Sequence, residues 1–263
     1  MASMRDIKRR KESIQSTQQI TKAMKLVSTV KLQKARTRAE SAKPYFQKMY
    51  DTVQSILSKS GNIEHPYLTF NGSEKKAVIV VTSNRGLAGG YNNNIAKLIT
   101  NSDIPKEDAY IYAIGRKGRE VLERKGYEIK ADYSEAINDP IYKDAKEICD
   151  DVLSAFADGE VGEIYLAYTV FKNTVVHEPQ LIRLLPVEAD DAAHETDGSE
   201  ALMTYEPSEE EALDMIIPKY VCSLVYGALI ESVASENGAR MQAMDSATSN
   251  AEEMISTLSL KYN

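Results

Sequence analysis

The residues best placed to do chemistry stand in a glycine-rich run, Asn84-Arg85-Gly86-Leu87-Ala88-Gly89-Gly90-Tyr91-Asn92, which follows an apolar segment and precedes a helical one. A loop of this kind at a helix N-terminus can cradle phosphate with its backbone N–H groups. The spacing, however, is not G-x-G-x-x-G. No Lys-Ser/Thr pair follows as a P-loop requires, and no acidic residue closes the next apolar segment to hold a ribose. The run therefore reads as a tight strand-to-helix turn whose glycines supply positive φ. Gly115-Arg116-Lys117-Gly118 is a shorter version of the same arrangement. The two cysteines, Cys149 and Cys222, and the three histidines, His65, His177 and His194, are scattered and fit no metal-ligand spacing. The cysteines read as thiols of a reducing compartment. The motifs HExxH and GxSxG and a Ser/His/Asp order are not recognisable, and the acidic runs at 190–191 and 209–211 read as surface charge. Near the C-terminus, Arg240 lies beside Met241 and Met244 on a helical pattern. That is either an apolar stripe next to a solvated arginine or a partner-contact face, since Met and Arg are enriched at interfaces.

Charge is distributed unevenly. The net charge of −7 over 263 residues conceals a basic arm: residues 1–60 hold 14 Lys/Arg and 4 Asp/Glu, a net of +10, and the remainder carries −17. A basic arm on an acidic body points to a polyanionic partner, whether nucleic acid, anionic lipid or an acidic protein surface; the alternative is a solvated helix face. Hydrophobic content of 43% and charged content of 27% are those of a globular protein. No uninterrupted run of 18 apolar residues occurs, so no membrane span is expected. The first residues lack the apolar core of a signal peptide and carry acidic residues that a transit peptide avoids.

The elements that would position these residues follow from periodicity. Residues 3–58 contain no glycine and are rich in Ala, Lys, Gln and Arg, which predicts one helix about 80 Å long. Ala35, Ala39, Ala42, Phe46, Met49, Val53 and Ile56 step by four and three, the pattern of a coiled-coil seam; Ile7, Ile14, Ile20, Met24 and Val27 continue it more loosely. Pro44 should kink this helix or end a segment there. Residues 59–73 are turn-rich and read as a linker. Short apolar runs at 77–82, 110–114, 127–133 and 163–171 alternate with helical stretches near 92–100, 116–125 and 140–157, which predicts a parallel, Rossmann-like sheet. A last strand at 180–187 is expected to pair antiparallel with 163–171. Residues 188–209 read as a flexible acidic connection. From 209 onward helix returns, with Pro218 near its start and a second seam through Met241, Met244, Thr248, Ala251, Ile255, Leu258 and Tyr262. The predicted fold class is α/β: an antiparallel coiled coil of long N- and C-terminal helices (1–60 and 209–263) with an inserted Rossmann-like α/β domain (74–190). Both seams are thin, because Ala, Thr and Met stand where Leu is usual and each buries less than the roughly 1.5–3 kcal/mol of a full aliphatic side chain.

Three segments carry a family resemblance. Ile14-Gln-Ser-Thr-Gln-Gln-Ile-Thr-Lys-Ala-Met-Lys-Leu-Val27 is similar to the N-terminal helix of F-type ATP synthase gamma subunits. Ser83-Asn-Arg-Gly-Leu-Ala-Gly-Gly-Tyr-Asn92 resembles the loop after that family's first strand. Ser235-Glu-Asn-Gly-Ala-Arg-Met-Gln-Ala-Met-Asp-Ser-Ala-Thr248, with Asn250-Ala251 and Leu258-x-Leu-x-Tyr-Asn263, resembles its C-terminal helix. The resemblance spans nearly the whole chain, in order. It implies a non-catalytic rotor: the coiled coil stands inside a ring of three alpha and three beta subunits, and the foot binds the epsilon subunit and the c-ring. Ion flow turns the shaft, which drives the beta sites through different nucleotide affinities. It implies no cofactor, no nucleic-acid partner, membrane contact only through the c-ring, and a peripheral position on the cytoplasmic face of a bacterial plasma membrane. By motif, Met24, Lys25, Arg240, Met241 and Met244 are the implied contacts with the ring, and the basic helix would engage acidic lever loops of the beta subunits. The family pattern continues past Tyr262-Asn263 with an Ile-Thr-x-Glu segment ending near Gly-Ala, a tip that reaches the top of the ring; this sequence stops at Asn263. There is no cysteine-bearing insert of the chloroplast type, which matches the bacterial members. Pattern alone supports another class, a structural coiled-coil adaptor with an α/β head that folds stably without a ring. An enzyme using the 84–92 loop would show nucleotide affinity, and nucleic-acid binding by the arm would show a steep salt dependence.

Overall fold

The computed structural model describes residues 4–59, 65–188 and 208–262. The predicted 188–209 connection falls almost wholly outside them. Ten main elements follow in order: α1 (Met4–Lys59), β1 (Lys76–Val81), α2 (Tyr91–Thr100), β2 (Ala109–Ile114), α3 (Arg116–Arg124), β3 (Glu128–Asp132), α4 (Tyr142–Ala157), β4 (Glu163–Phe171), β5 (His177–Leu185) and α5 (Glu209–Tyr262).

Helices α1 and α5 run antiparallel. Gln18 reaches Glu252, Thr21 shares a 2.7 Å hydroxyl–hydroxyl bond with Thr248, and Lys25 pairs with Asp245 at 2.6 Å, so numbers rise on one helix as they fall on the other. Further along, Leu32 and Ala35 meet Ala234, and Phe46 packs edge-on against Tyr226 with ring centroids 6.2 Å apart. A Cβ on Gly227 would stand 3.1 Å from the Phe46 ring, so glycine sets the close approach there. The buried line on α1 is the heptad series Thr21, Ser28, Ala35 and Ile56, with Leu32 and Val53 beside it. The upper part of the stripe expected from the sequence is thus displaced. Ile20 is 59% exposed and Val27 56%, while the hydroxyl residues one position along face α5. Small side chains let the backbones come close, and their hydroxyls find partners across the seam or on the preceding turn.

Of the two alternatives for Pro44, ending a segment is not what is seen. Helix α1 continues through Pro44. Pro44 is exposed, so the carbonyl left without an N–H partner one turn earlier is open to water, and packing of Phe46 on α5 holds the helix on both sides. The described part of the predicted 59–73 linker after α1, from His65 on, consists of turns tied to the sheet end. His65 is buried at 3% exposure, Nδ1 accepts the Tyr67 N–H, and the Tyr67 carbonyl accepts the Val187 N–H at 2.9 Å.

The sheet has strand order β3-β2-β1-β4-β5, with β1 to β4 parallel and β5 antiparallel to β4. From Ala77 onward strand β1 is apolar because both faces are covered. Ala77, Ile79 and Val81 point into one cluster with α4, α5 and the end of α1, while Val78 and Val80 point into a second with α2 and α3. The turn from β2 to α3 requires glycine: Gly115 has φ +101°, and a Cβ there would lie 2.1 Å from the Thr82 carbonyl oxygen. An 18-residue window of α5 has a mean hydropathy of 1.5, long and apolar enough by composition to cross a membrane. That window is 56% buried in the fold, where Leu213, Ile217, Val221, Val225 and Leu229 form the core beneath the sheet. Absence of an unbroken apolar run was therefore not a sufficient test of composition; the apolar content is that of a core helix.

Burial separates two leucines of similar chemistry. Leu229→Ala, at a fully buried site, is expected to cost about 2–5 kcal/mol in urea unfolding. Leu26→Ala, at a site 67% exposed, should change stability by no more than about 0.5 kcal/mol. Equal effects would mean that α5 does not form the core described.

Candidate functional site

In open α/β sheets ligands bind where the strand order reverses, outside the carboxyl ends of the strands. Here that point lies between β1 and β4, and α5 occupies it. The Thr169 N–H of β4 donates to Ser232 Oγ at 3.4 Å, and Ser235 Oγ donates to the Thr169 carbonyl at 3.2 Å. One turn further, Arg240 Nη1 pairs with Glu236 at 2.6 Å and Nη2 donates to the Gly86 carbonyl at 3.1 Å. Both side chains of this pair are sequestered, at 10% and 16% exposure. Tyr91 packs beside them; burial, and then the nearby Glu236 carboxylate, push its hydroxyl pKa upward.

The polar side chains Ser83, Asn84 and Asn92 of the glycine-rich segment are spent within it and on its neighbours. Ser83 N–H donates to Asn92 Oδ1 at 2.9 Å, Ser83 Oγ to the Arg85 carbonyl at 2.7 Å, and the Asn84 side chain joins Ser134 to the Arg116 N–H. Leu87 and Gly89 take φ +63° and +55°. This is a structural turn clamped to α5, as its spacing suggested.

On the outer side of the clamp, α1, the loop and α5 enclose a groove of about 770 Å³. Its apolar wall includes Met24, Val27, Leu87 and Val233. Five basic residues, Lys31, Lys34, Arg38, Arg85 and Arg240, line it against two acidic ones, Asp139 and Glu236. Both acids are spent on Arg38 and Arg240. Lys31, Lys34 and Arg85 make no ion pair among the described residues, which leaves a local charge of +3 beside exposed apolar surface. Val27, Val30 and Leu87 are each more than half exposed.

The five residues singled out by motif do not form one site. Met24 and Arg240 share the groove. Lys25 stands on the flank of the helix pair, tied to Asp245. Met241 is partly buried against the Leu32–Ala35–Ala234 cluster, and Met244, 5% exposed, lies inside the seam. Sequence reading missed Lys31, Lys34, Arg85 and Glu236. The Glu236–Arg240 spacing of four was visible as a helix pair; nothing in the sequence joined it to Gly86. Arg240→Ala leaves the sequestered Glu236 carboxylate without its partner and is expected to cost about 3–5 kcal/mol in urea unfolding, whereas Arg240→Met combined with Glu236→Gln should restore most of that loss. A single variant within about 0.5 kcal/mol of wild type would show that the clamp holds nothing.

Comparison with known proteins agrees with this architecture. The model of the ATP synthase family matches residues 3–263. An ATP synthase gamma chain of Lachnoclostridium phytofermentans is 70% identical over 100% of this chain and 92% of its own length. A sodium ion specific gamma chain of Acetobacterium woodii is 42% identical over 99% and 92%. In fold, the chain resembles a rotor chain of the Euglena gracilis mitochondrial ATP synthase, with a TM-score of 0.71 at 16% identity, covering 99% of this chain and 96% of that one. A seam of two long antiparallel helices, a five-stranded sheet clamped beneath them and whole-chain identity of this order lead to one conclusion: the chain belongs to the ATP synthase gamma chain family.

Proposed function

We propose that this chain is the central-stalk rotor of an ATP synthase, transmitting ion-driven rotation of a c-ring to the catalytic beta subunits. It is not itself catalytic; it is a subunit of a membrane-associated complex. The observation that carries the reading is the helix pair itself. From 247 to 262, about 24 Å of helix, the hydrogen bonds and ion pairs of α5 go to α1 or to α5 itself, so this end of the pair projects from the α/β unit. Its seam is made of Thr21, Thr248 and Ala251, and its outer surface is largely polar, with Met4, Ile20, Met254 and Leu260 exposed singly rather than as a continuous face. A rotor must not favour one angle in its bearing: a preference of about 3 kcal/mol is a bias of roughly 150-fold. A polar, charged surface suits that constraint better than a continuous apolar one.

In this reading residues 1–60 and 209–263 form the shaft, and 74–190 form the foot, which binds the epsilon subunit and the c-ring. The shaft stands within three alpha and three beta subunits, and the complex sits on the cytoplasmic face of the bacterial plasma membrane. The groove holding Met24, Arg240, Lys31, Lys34 and Arg85 receives an acidic lever segment of a beta subunit. Lys25 orients the shaft surface beside it through Asp245, and Met241 and Met244 hold the seam that carries both.

Co-production with the alpha and beta subunits of the same source should give a complex containing one copy of this chain, with ATPase turnover that requires it. Reversing the three unpaired charges (Lys31→Glu, Lys34→Glu, Arg85→Glu) should leave the chain folded, because all three are exposed, and lower turnover at least tenfold, about 1.4 kcal/mol of barrier. A chain that elutes apart from an intact ring would overturn the rotor reading. Unchanged turnover in the triple variant would overturn the groove assignment alone.

A further inference from the structure

A second cavity, of about 330 Å³, remains at the switch point where α5 does not fill it. Gly89, Gly90 and Tyr91 bound it at the start of α2, Thr169 at the end of β4, His177 at the start of β5, and Ala243 on α5. No Asp, Glu, Lys or Arg lines it. Three independent features make this more than a packing gap.

The first is the start of α2, a helix of ten residues. It has no side-chain cap and no acidic residue in its first turn, and the N–H groups of Gly89 and Gly90 donate no hydrogen bond among the described residues. The end of a helix with open N–H groups carries partial positive charge. The second is Thr169. Its backbone is satisfied by Ser232 and Ser235, yet its hydroxyl, in a residue 3% exposed, has no partner. A buried hydroxyl left unpaired costs free energy, and such groups in folded proteins normally have a partner. The third is His177, neither of whose buried ring nitrogens makes a hydrogen bond of good geometry, the Thr174 carbonyl being the one backbone acceptor within its influence. Its place is kept by a glycine: a Cβ on Gly238 would lie 2.7 Å from the imidazole Cε1. Burial holds the imidazole below its ordinary pKa, so near neutrality it is uncharged and offers one N–H.

These groups line one cavity, and there is no carboxylate among them. We infer that this cavity is a binding site for a small oxyanion of phosphate or carboxylate type, held by the Gly89 and Gly90 amides, the Thr169 hydroxyl and an N–H of His177. The volume falls at the lower end of ligand pockets, leaving room for the anion and some of its water. The anion would tie α2, β4, β5 and α5 together at the point where the helix pair meets the sheet.

The test uses the full chain, with backbone amide NMR of Gly89 and Gly90 and the His177 Cε1–H signal as readouts. Inorganic phosphate and acetate are titrated separately, at ionic strength matched with chloride. Saturable shifts of these signals with either anion are expected, and the anion that binds more tightly identifies the phosphate or the carboxylate source. Thr169→Val, which keeps the shape and removes the hydroxyl, should weaken binding roughly tenfold or more. Ala243→Leu, which fills the cavity without touching the proposed ligands, should abolish it and covers the case in which the threonine variant does not fold. The proposal is overturned by signals unmoved by both anions to about 100 mM, far past a millimolar Kd. Shifts that persist unchanged in Ala243→Leu would overturn it equally.

Discussion

The structure depends on the seating of α5 over the carboxyl ends of β1 and β4. One helix is at once half of the shaft and a wall of the sheet's core. Between Leu213 and Leu229 its apolar residues are buried beneath the sheet. From Ser232 to Arg240 it offers hydroxyls and a guanidinium to backbone groups of β4 and the glycine-rich loop. Torque applied to one part must reach the other through this contact, because α1 adds only its last turns, at Val53 and Ile56, to the sheet core. The same seating fills most of the crevice in which open α/β sheets bind nucleotides. The fold that supports so many enzymes is here used as an anchor.

The helix pair changes character along its length. Near the foot its interface is aliphatic and aromatic, continuous with the sheet core. Above Ala35 it is made mostly of small residues, Ser28, Thr21, Thr248 and Ala251, with Leu32 and Met244 among them and ion pairs on the flanks at Lys22–Glu252 and Lys25–Asp245. Exposed ion pairs of this kind contribute little, on the order of 0–1 kcal/mol each, and alanine seams bury little area. The upper shaft is therefore held weakly by its own contacts.

Charge follows the same division. Among the described residues the +10 of the first sixty residues is only partly paired. Some cations pair with α5 or with the loop after β3, as Arg38 does with Asp139, but Lys31, Lys34 and Arg85 remain around an apolar hollow. Charge beside exposed valine and leucine gives a partner both steering and desolvation. Those residues belong to two distant stretches of sequence, and only the clamp between Arg240 and Gly86 brings Arg85 next to α1.

The sequence by itself determined the elements. Helix length came from the lack of glycine in 3–58, the parallel strands from short apolar runs flanked by glycine turns, and the antiparallel return from two terminal seams. These are properties of local backbone preference and of periodicity, which a chain carries wherever it lies. The strand-to-helix turn at 84–92 was legible for the same reason, since Gly89 supplies the positive φ that such a turn needs. What only the tertiary structure decided were matters of contact. The seam runs through Thr21 and Ser28 rather than Ile20 and Val27, because the backbones approach too closely for large side chains. Pro44 leaves α1 unbroken, because its solvent side is hydrated and its inner side is held by α5. Met244 lies inside the seam, while Arg85 joins Met24 in a groove. Pairings between residues more than a hundred positions apart depend on how two surfaces fit, and no local pattern encodes that fit.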